Sequence, residues 1–407
     1  MALGDVSQWI AEHTREDVVW YVKRLSGNDT LANGSHQGGP YVPKPVLFAV
    51  FPELRGITER NADKRFPLYL DSHPDVREVR AVWYNNKLRS GTRNEGRITG
   101  FGGRASPLLD AESTGAIAIF AFSHQEGSTA SDCHAWISRN EVEEDLIEAH
   151  TGPVEPGAWI TMRGGRLPAL ALEDRPKPRV SCWLEPEEVP AEWFSAFPSE
   201  GAIIQKALDL RSVHGMTPDE RLIARRRCEQ EIARSVEQAI ELPKLQRGVG
   251  DLEFFLSEAQ MILARRRALS RLSLHLHVKR ILVEEGFQEG RDFDETPPAG
   301  LMSRPDFLFP HAQAHNDTTL APTALRALTV MLTCRDRWRQ ILDQGAGSRM
   351  KHLLTLQEGV SENQFEEMRQ ANVLLVVPEA LRESYPPIVR PQLLSLESFI
   401  ADVRLAA

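Results

Sequence analysis

Short apolar runs, separated by clusters of turn-forming residues, fill the first 175 positions of the chain. They include PVLFAVF (45–51), EVRAVWY (78–84), TGAIAIFAF (114–122) and CHAWIS (133–138), and between them lie NDTLANGSHQGGP, NNKLRSGTRNEG and HQEGSTASD. Runs of this length bounded by Gly, Asn and Ser predict strands, so residues 1–175 read as a mostly-β domain. The segment ALEDRPKPRVSCWLEPEEVPAEW (171–193) then concentrates prolines and charges and offers little that could bury a face. It predicts a hinge over residues 176–195.

Beyond it the period changes. Thr217-Pro218-Asp219-Glu220 carries the residues of a capping box: a hydroxyl at the N-cap, Pro in the first turn and Glu three positions on. Leu222, Ile223, Ile232, Val236, Ala239 and Ile240 give that helix one apolar face, and Pro243 is expected to end it. Two further helices are predicted from Leu252 to Arg267 and from Leu269 to Gly286. Alternating elements follow: DFLFP (306–310), strand ALRALTVMLT (324–333), helix RDRWRQILDQ (335–344) and strand HLLTLQ (352–357). Helix SENQFEEMRQ (361–370), strand VLLVVP (373–378) and helix SLESFIADVR (395–404) complete the series. Strands alternating with helices make residues 196–407 an α/β domain.

Composition narrows the class without choosing a function. A chain of 407 residues is long for one domain and suited to two, and 42% hydrophobic with 26% charged residues is ordinary for a soluble globular protein. No run of about 18 apolar residues exists, so no transmembrane helix is expected. The opening MALGDVSQWIAEHTRED lacks the basic and then apolar pattern of a signal peptide, and a cytoplasmic protein is expected. Cys133, Cys182, Cys228 and Cys334 have no zinc-ligand spacing and read as packing thiols rather than disulfides. The net charge of −9 weighs little against nucleic acid as a partner, because a local basic patch suffices.

Several stretches carry a resemblance. YVKRLSGNDTLANGSHQGGPY (21–41) and VRAVWYNNKLRSGTRNEGRITGFG (79–102) resemble the effector-binding domain of EcoRII-type restriction endonucleases, a β-barrel of the plant B3 DNA-binding type. RPDFLFP (304–310), LTCRDRWRQIL (332–342) and HLLTLQEGVS (352–361) resemble the catalytic domain of the same family, which is of the PD-(D/E)xK restriction-endonuclease-like class. The resemblance runs over nearly the whole chain. It implies an N-terminal mostly-β B3-like barrel and a C-terminal α/β nuclease-like domain, with double-stranded DNA as partner. It further implies a homodimer formed by the C-terminal domains on one short site, further copies of the site bound by the N-terminal domains, and Mg²⁺ as cofactor for cleavage.

On the N-terminal domain the resemblance places base and backbone contacts on His36, Tyr41, Arg93, Glu95 and Arg97, with Arg80, Lys87, Arg89 and Asn94 around them. Arg donates bidentately to guanine, Asn pairs with adenine and Glu accepts from cytosine N4, while basic neighbours hold phosphates. By residue type alone the same loop reads as a solvated polar hairpin. Ser90 and Gly96 stand where the family has lysines. On the C-terminal domain Arg335-Asp336-Arg337 matches a triplet that reads C:G pairs in the major groove. Taken alone, it is a charged helix start with intrahelical pairs. Two arginines at the positive end of a helix need an anionic partner, which tilts the reading toward DNA.

The cleavage positions depart from the family. Such nucleases need carboxylates to hold the metal on the scissile phosphate and a lysine to steer the attacking water. Asp306 matches the metal-binding Asp. Met331 occupies the lysine position, Gln344 an acidic position (beside Asp343), and His275 the place of a Glu. Two outcomes stay open: a relative that binds DNA with cleavage impaired or lost, or an active Mg²⁺-dependent type II site-specific deoxyribonuclease. The missing Lys and Glu favour the first. A rescue through a different metal on His275, Asp306, His311 and His315 is a further alternative, although lone histidines are more often packing or surface residues.

Overall fold

The structure, a computed structural model, describes residues 5–34, 38–89, 94–124, 128–163, 181–211, 213–296, 305–316, 319–321, 324–342 and 351–406. The N-terminal half contains α1 (Val6–His13), β1 (Val18–Arg24), β2 (Tyr41–Val42), α2 (Lys44–Val50), β3 (Ala62–Leu70) and β4 (Asp75–Tyr84). It continues with β5 (Glu95–Thr99), β6 (Ile117–Ser123), β7 (Asp132–Ile137), α3 (Glu141–Thr151) and β8 (Trp159–Arg163). The strands form one curled sheet in the order β2-β5-β4-β3-β7-β6-β1-β8, antiparallel except where β3 runs parallel to β7.

Two apolar layers explain why β1 is buried at every position. Its Tyr21 face packs inside the curl with Phe51, Phe66, Phe120 and Phe122, and its Trp20 face packs beneath α1 and α3 with Trp9, Trp136 and Ile147. The apolar run 45–51, which the pattern assigned to the strands, is instead α2. Pro45 sits in its first turn, and Val46, Leu47 and Val50 plug the interior of the sheet. Apolar runs this short cannot separate strand from helix by period.

The C-terminal half contains α4 (Ala191–Ser195), α5 (Glu200–Leu210), α6 (Pro218–Gln246), α7 (Leu252–Glu284), β9 (Asp294–Glu295) and β10 (Phe307–Phe309). After these come β11 (Arg326–Met331), β12 (Lys351–Thr355), α8 (Glu362–Gln370), β13 (Val373–Val376) and α9 (Leu396–Ala406). The sheet order is β13-β12-β11-β10-β9, with β11, β12 and β13 parallel and β10 antiparallel to its neighbours. One face packs on α6, α7 and α9 through Leu222, Ile281 and Phe399, and the other on Trp338, Phe365 and Met368. The capping box at Thr217 forms in both directions. Buried Asp219 in the same turn accepts hydrogen bonds from the amides of Leu396 and Glu397, so the start of α6 caps the start of α9.

Four expectations change. Pro243 lies inside α6, which continues to Gln246. The two helices expected between 252 and 286 are one, because Ala268 at the supposed break favours helix and no Gly or Pro interrupts it. Residues 181–195, assigned to a hinge, bury Cys182, Leu184, Val189 and Trp193 against α5 and α6. Cys182 and Cys228, read as packing thiols, form a disulfide that ties this segment to α6, with Cα atoms 5.1 Å apart. Cys133 and Cys334 are buried free thiols. Among the described residues no helix is long and apolar enough to cross a membrane.

A buried ion network joins β1 to α3. The Arg24 guanidinium donates to Glu144 at 2.7 Å, to Glu148 at 2.9 Å and to the carbonyls of Val154 and Gly115. Replacing one member of a buried pair leaves the other charge uncompensated, at a cost of about 3–5 kcal/mol. Glu144→Ala should therefore lower unfolding stability by that amount in urea melts followed by tryptophan fluorescence. A loss below about 1 kcal/mol would place the pair with ordinary surface bridges.

Candidate nucleic-acid interface and catalytic centre

On the N-terminal domain the described candidates fall into two groups. Tyr41 on β2 pairs with Arg97 on β5 and leaves its ring exposed, while its amide donates to Asp29 and its carbonyl accepts from Tyr21. Arg80 on β4 is half-buried and crosses to Asp63 at 2.9 Å, a bond that raises its already high pKa. Asn94 accepts from the Lys87 amide and closes the loop. Arg97 and Glu95, by contrast, are mostly buried: Arg97 donates to Glu95 at 3.1 Å and to the Gly39 carbonyl at 3.0 Å. Their side chains hold the loop together in this state and do not face solvent. His36, Arg93 and Ser90 lie outside the described residues, as does the Arg89 side chain. At Gly96, a Cβ would lie 2.6 Å from the Val42 carbonyl oxygen, so the close approach of β2 leaves no room there for a lysine.

The recognition triplet differs from expectation in local structure and in partner. Residues 335–344 were read as an α-helix; Arg337–Ile341 is a 3₁₀ helix, and Asp343 and Gln344 lie outside the described residues. The 3₁₀ period explains this, since it stacks Trp338 and Ile341 on one face and both are buried. Five residues of 3₁₀ helix build little dipole, so the anionic partner that the two arginines require comes from elsewhere. It comes from α3. Arg335 donates to the Ser138 carbonyl at 2.9 Å and lies 3.5 Å from Glu144, and Arg337 pairs with Asp145 at 2.6 Å. The backbones meet as well: the Gly27 amide donates to the Glu358 carbonyl, and a Cβ on Gly27 would lie 1.9 Å from the Ser384 oxygen. Asp336 is 3.9 Å from Arg335, and its Oδ2 is buried without a hydrogen bond.

Of the expected cleavage positions, the structure brings Asp306 and His275 together. His275 on α7 stacks on Phe307, donates from Nδ1 to Asp306 at 3.2 Å and from Nε2 to Glu295 on β9 at 2.7 Å. Ionised carboxylates only accept, so facing both ring nitrogens they favour the protonated ring. Burial by itself would lower the His275 pKa, but the two carboxylates outweigh it and raise the value. The second oxygen of Asp306 accepts from the Val330 amide at 2.7 Å. The second oxygen of Glu295 is ion-paired with Lys279, which also meets Glu289 at 3.1 Å. Burial opposes ionisation of Glu295, yet Lys279 and His275 hold its carboxyl below the usual range. Met331 points away, into an apolar cluster with Cys334, Trp338 and Ile341.

Sequence reasoning missed Glu295 and Lys279. Lys279 follows His275 by four residues on a helix, a spacing that puts both on one face. Glu295 carries no such signal. The alternative metal site on His275, Asp306, His311 and His315 does not assemble. His311 accepts from the Ala314 amide and His315 bonds the Phe309 carbonyl, each closing its own turn. Nor do the residues present suit Mg²⁺, a hard ion that wants several free oxygens in octahedral array. Every oxygen of Asp306 and Glu295 already accepts from a donor of this chain.

A curled sheet joined to an α/β domain with a carboxylate cluster is the architecture of a two-domain restriction endonuclease. Residues 14–165 match the family described as restriction endonuclease EcoRII, N-terminal, and residues 233–400 match EcoRII C terminal. The type II restriction enzyme EcoRII of Escherichia coli is 37% identical over 407 residues, covering 99% of this chain and 98% of that one. The chain belongs to the EcoRII-type restriction endonuclease family. Among solved structures, metal-depleted Ecl18kI in complex with uncleaved, modified DNA aligns at TM-score 0.40 and 18% identity, over 55% of this chain and 85% of that one. The B3 domain of UbaLAI restriction endonuclease with cognate DNA aligns at TM-score 0.26 and 16% identity, over 39% of this chain and 98% of that one.

The His275 arrangement sets a pH dependence. Because its pKa is raised above 6.5 in the folded protein, its contribution to stability is complete below 6.5 and is lost as pH rises through the folded value. A ¹³C or ¹H NMR titration should find the His275 midpoint above 6.5. Asp306→Asn or Glu295→Gln should bring it down. A midpoint unmoved by either substitution would mean that the carboxylates do not hold the proton.

Proposed function

We propose that this protein is a sequence-specific duplex-DNA-binding member of its family, with cleavage impaired or lost, that engages more than one copy of a short site. One observation supports the loss of cleavage: His275 bridges Glu295 and Asp306, so the carboxylate that matches the family's metal ligand is already engaged by an imidazole. Met331 adds to it, since a thioether buried among apolar residues supplies neither charge nor hydrogen bond. Losing one transition-state stabiliser typically costs about 10²–10³ in rate, and such losses do not simply add. Base reading rests with Arg335 and Arg337 on guanine and Asp336 on cytosine in the C-terminal domain, and with Tyr41, Arg80, Asn94 and their loop, including His36 and Arg93, in the N-terminal domain. Arg97 and Glu95 join that set only once the loop opens. A C-terminal homodimer is supported by the tip of the α6–α7 hairpin, where Leu252, Phe254, Phe255 and Leu256 are exposed.

A second reading, an active deoxyribonuclease, is favoured by Lys279. It brings an ammonium to the carboxylate cluster one helical turn from His275. Cleavage of unmethylated duplex DNA with Mg²⁺ or Mn²⁺ separates the two. The unmodified chain should cut negligibly, and Met331→Lys should restore little unless His275→Glu or Gln344→Glu accompanies it. Specific Mg²⁺-dependent cutting by the unmodified chain, abolished by Lys279→Ala, would establish the second reading instead. For binding, Arg335→Ala or Arg337→Ala should cost about 1–3 kcal/mol at the cognate site with little change on random duplex. Equal losses on both would reduce these residues to phosphate contacts.

A further inference from the structure

Away from the DNA-facing residues, α1, the turn after β3, and β7 bring two imidazoles and a carboxylate together. One donor atom from each of His13, Asp71 and His134 lies within 4.8 Å of the other two, and all three residues are partly buried. Their orientations are fixed from outside the cluster. His13 Nδ1 bonds the Trp9 carbonyl at 2.8 Å, which settles its tautomer and leaves Nε2 with a lone pair. Asp71 Oδ2 accepts from the Trp9 indole at 2.6 Å and meets His134 Nδ1 at 2.8 Å. The rings are packed: His13 stacks on Trp9, His134 stacks on Tyr69, and the two imidazole centroids are 4.7 Å apart.

We propose that His13, Asp71 and His134 form a binding site for a divalent transition-metal ion of the Zn²⁺, Co²⁺ or Ni²⁺ class, which clamps α1 to the curled sheet. Two imidazoles with one carboxylate suit these ions and are a poor match for Mg²⁺ or Ca²⁺, which prefer all-oxygen shells. In a tetrahedral site with metal–ligand bonds of about 2.0–2.1 Å, ligand atoms stand roughly 3.4 Å apart, so closure asks for side-chain shifts of about 1 Å. Water completes the shell. The contacts from Trp9 are of the kind that orient ligands in natural sites, where losing an orienting partner weakens binding about 10–100-fold. Because the ligands come from a terminal helix and from the β3–β7 seam, an ion bound only by the folded chain stabilises that domain by mass action. The site lies on β7 and the end of β3, whereas Tyr41 lies on β2 at the edge of the sheet, so ion binding does not depend on DNA.

The test uses the full chain, freed of metal by chelation, with Co²⁺ and Zn²⁺ as probes. Co²⁺ should give the visible ligand-field absorption of a four- or five-coordinate site. Zn²⁺ should bind at one equivalent in calorimetry and raise the thermal midpoint, whereas Mg²⁺ should do neither. His13→Gln and His134→Gln should each weaken Zn²⁺ more than about tenfold, with far-UV circular dichroism unchanged. His150→Gln, an exposed histidine on α3, should leave binding intact. The proposal is overturned if the unmodified chain shows neither absorption nor heat. It is overturned equally if binding survives the paired substitution of His13 and His134, since the ion then sits elsewhere.

Discussion

One carboxylate, Glu144, is shared between the two halves of the molecule. It accepts from Arg24 inside the N-terminal domain and lies 3.5 Å from Arg335 of the recognition triplet. Arg24 needs Glu144 to be buried at all, and α3 needs Arg24 to lie against β1. Once α3 is seated there, Ser138 and Asp145 face Arg335 and Arg337. A second buried pair, Arg226 of α6 with Glu155 at 2.7 Å, repeats the pattern between the same halves. Glu144 and Arg226 thus each serve a partner in their own half as well as one across the interface.

This explains which parts of the molecule could be read from the sequence. The capping box at Thr217, the β11–β12–β13 series and the apolar strand β6 follow from local pattern, and there the structure agrees to within a few residues. PVLFAVF could not be placed by pattern, because a run of seven apolar residues fills a helix plug as well as a strand. The segment 181–195 looked too polar to pack, since its four buried residues are spaced irregularly among charges. His275 and Asp306 were singled out from the sequence and meet in the structure, yet Glu295 and Lys279 were not legible, because only the fold carries β9 to α7. Arg97 and Glu95 illustrate a different limit: their residue types suit base contacts, but in this state they hold their own loop.

The carboxylate cluster also shows how partly buried acids are balanced by cations of the same chain. Asp306 and Glu295 are two negative charges in a partly buried place, and something positive must stand near them. In a nuclease that role belongs to a metal. Here His275 and Lys279 stand against them from one face of α7. Exchanging His275 for a carboxylate would remove one of those cations and add a third anion.

The Gly27 contact with the C-terminal half governs how far an intrinsic affinity is expressed. On the proposed reading, Ser138, Glu144 and Asp145 must release Arg335 and Arg337 before they touch a base, so the measured dissociation constant would equal the intrinsic one divided by the fraction of molecules already open. That fraction can be altered at Gly27 alone. A methyl group there collides with the Ser384 carbonyl and so destabilises the closed form, while every charge in the DNA-reading surface stays in place. Apparent affinity can thus drift between relatives through a single backbone-to-backbone approach, with no change in what sequence is recognised.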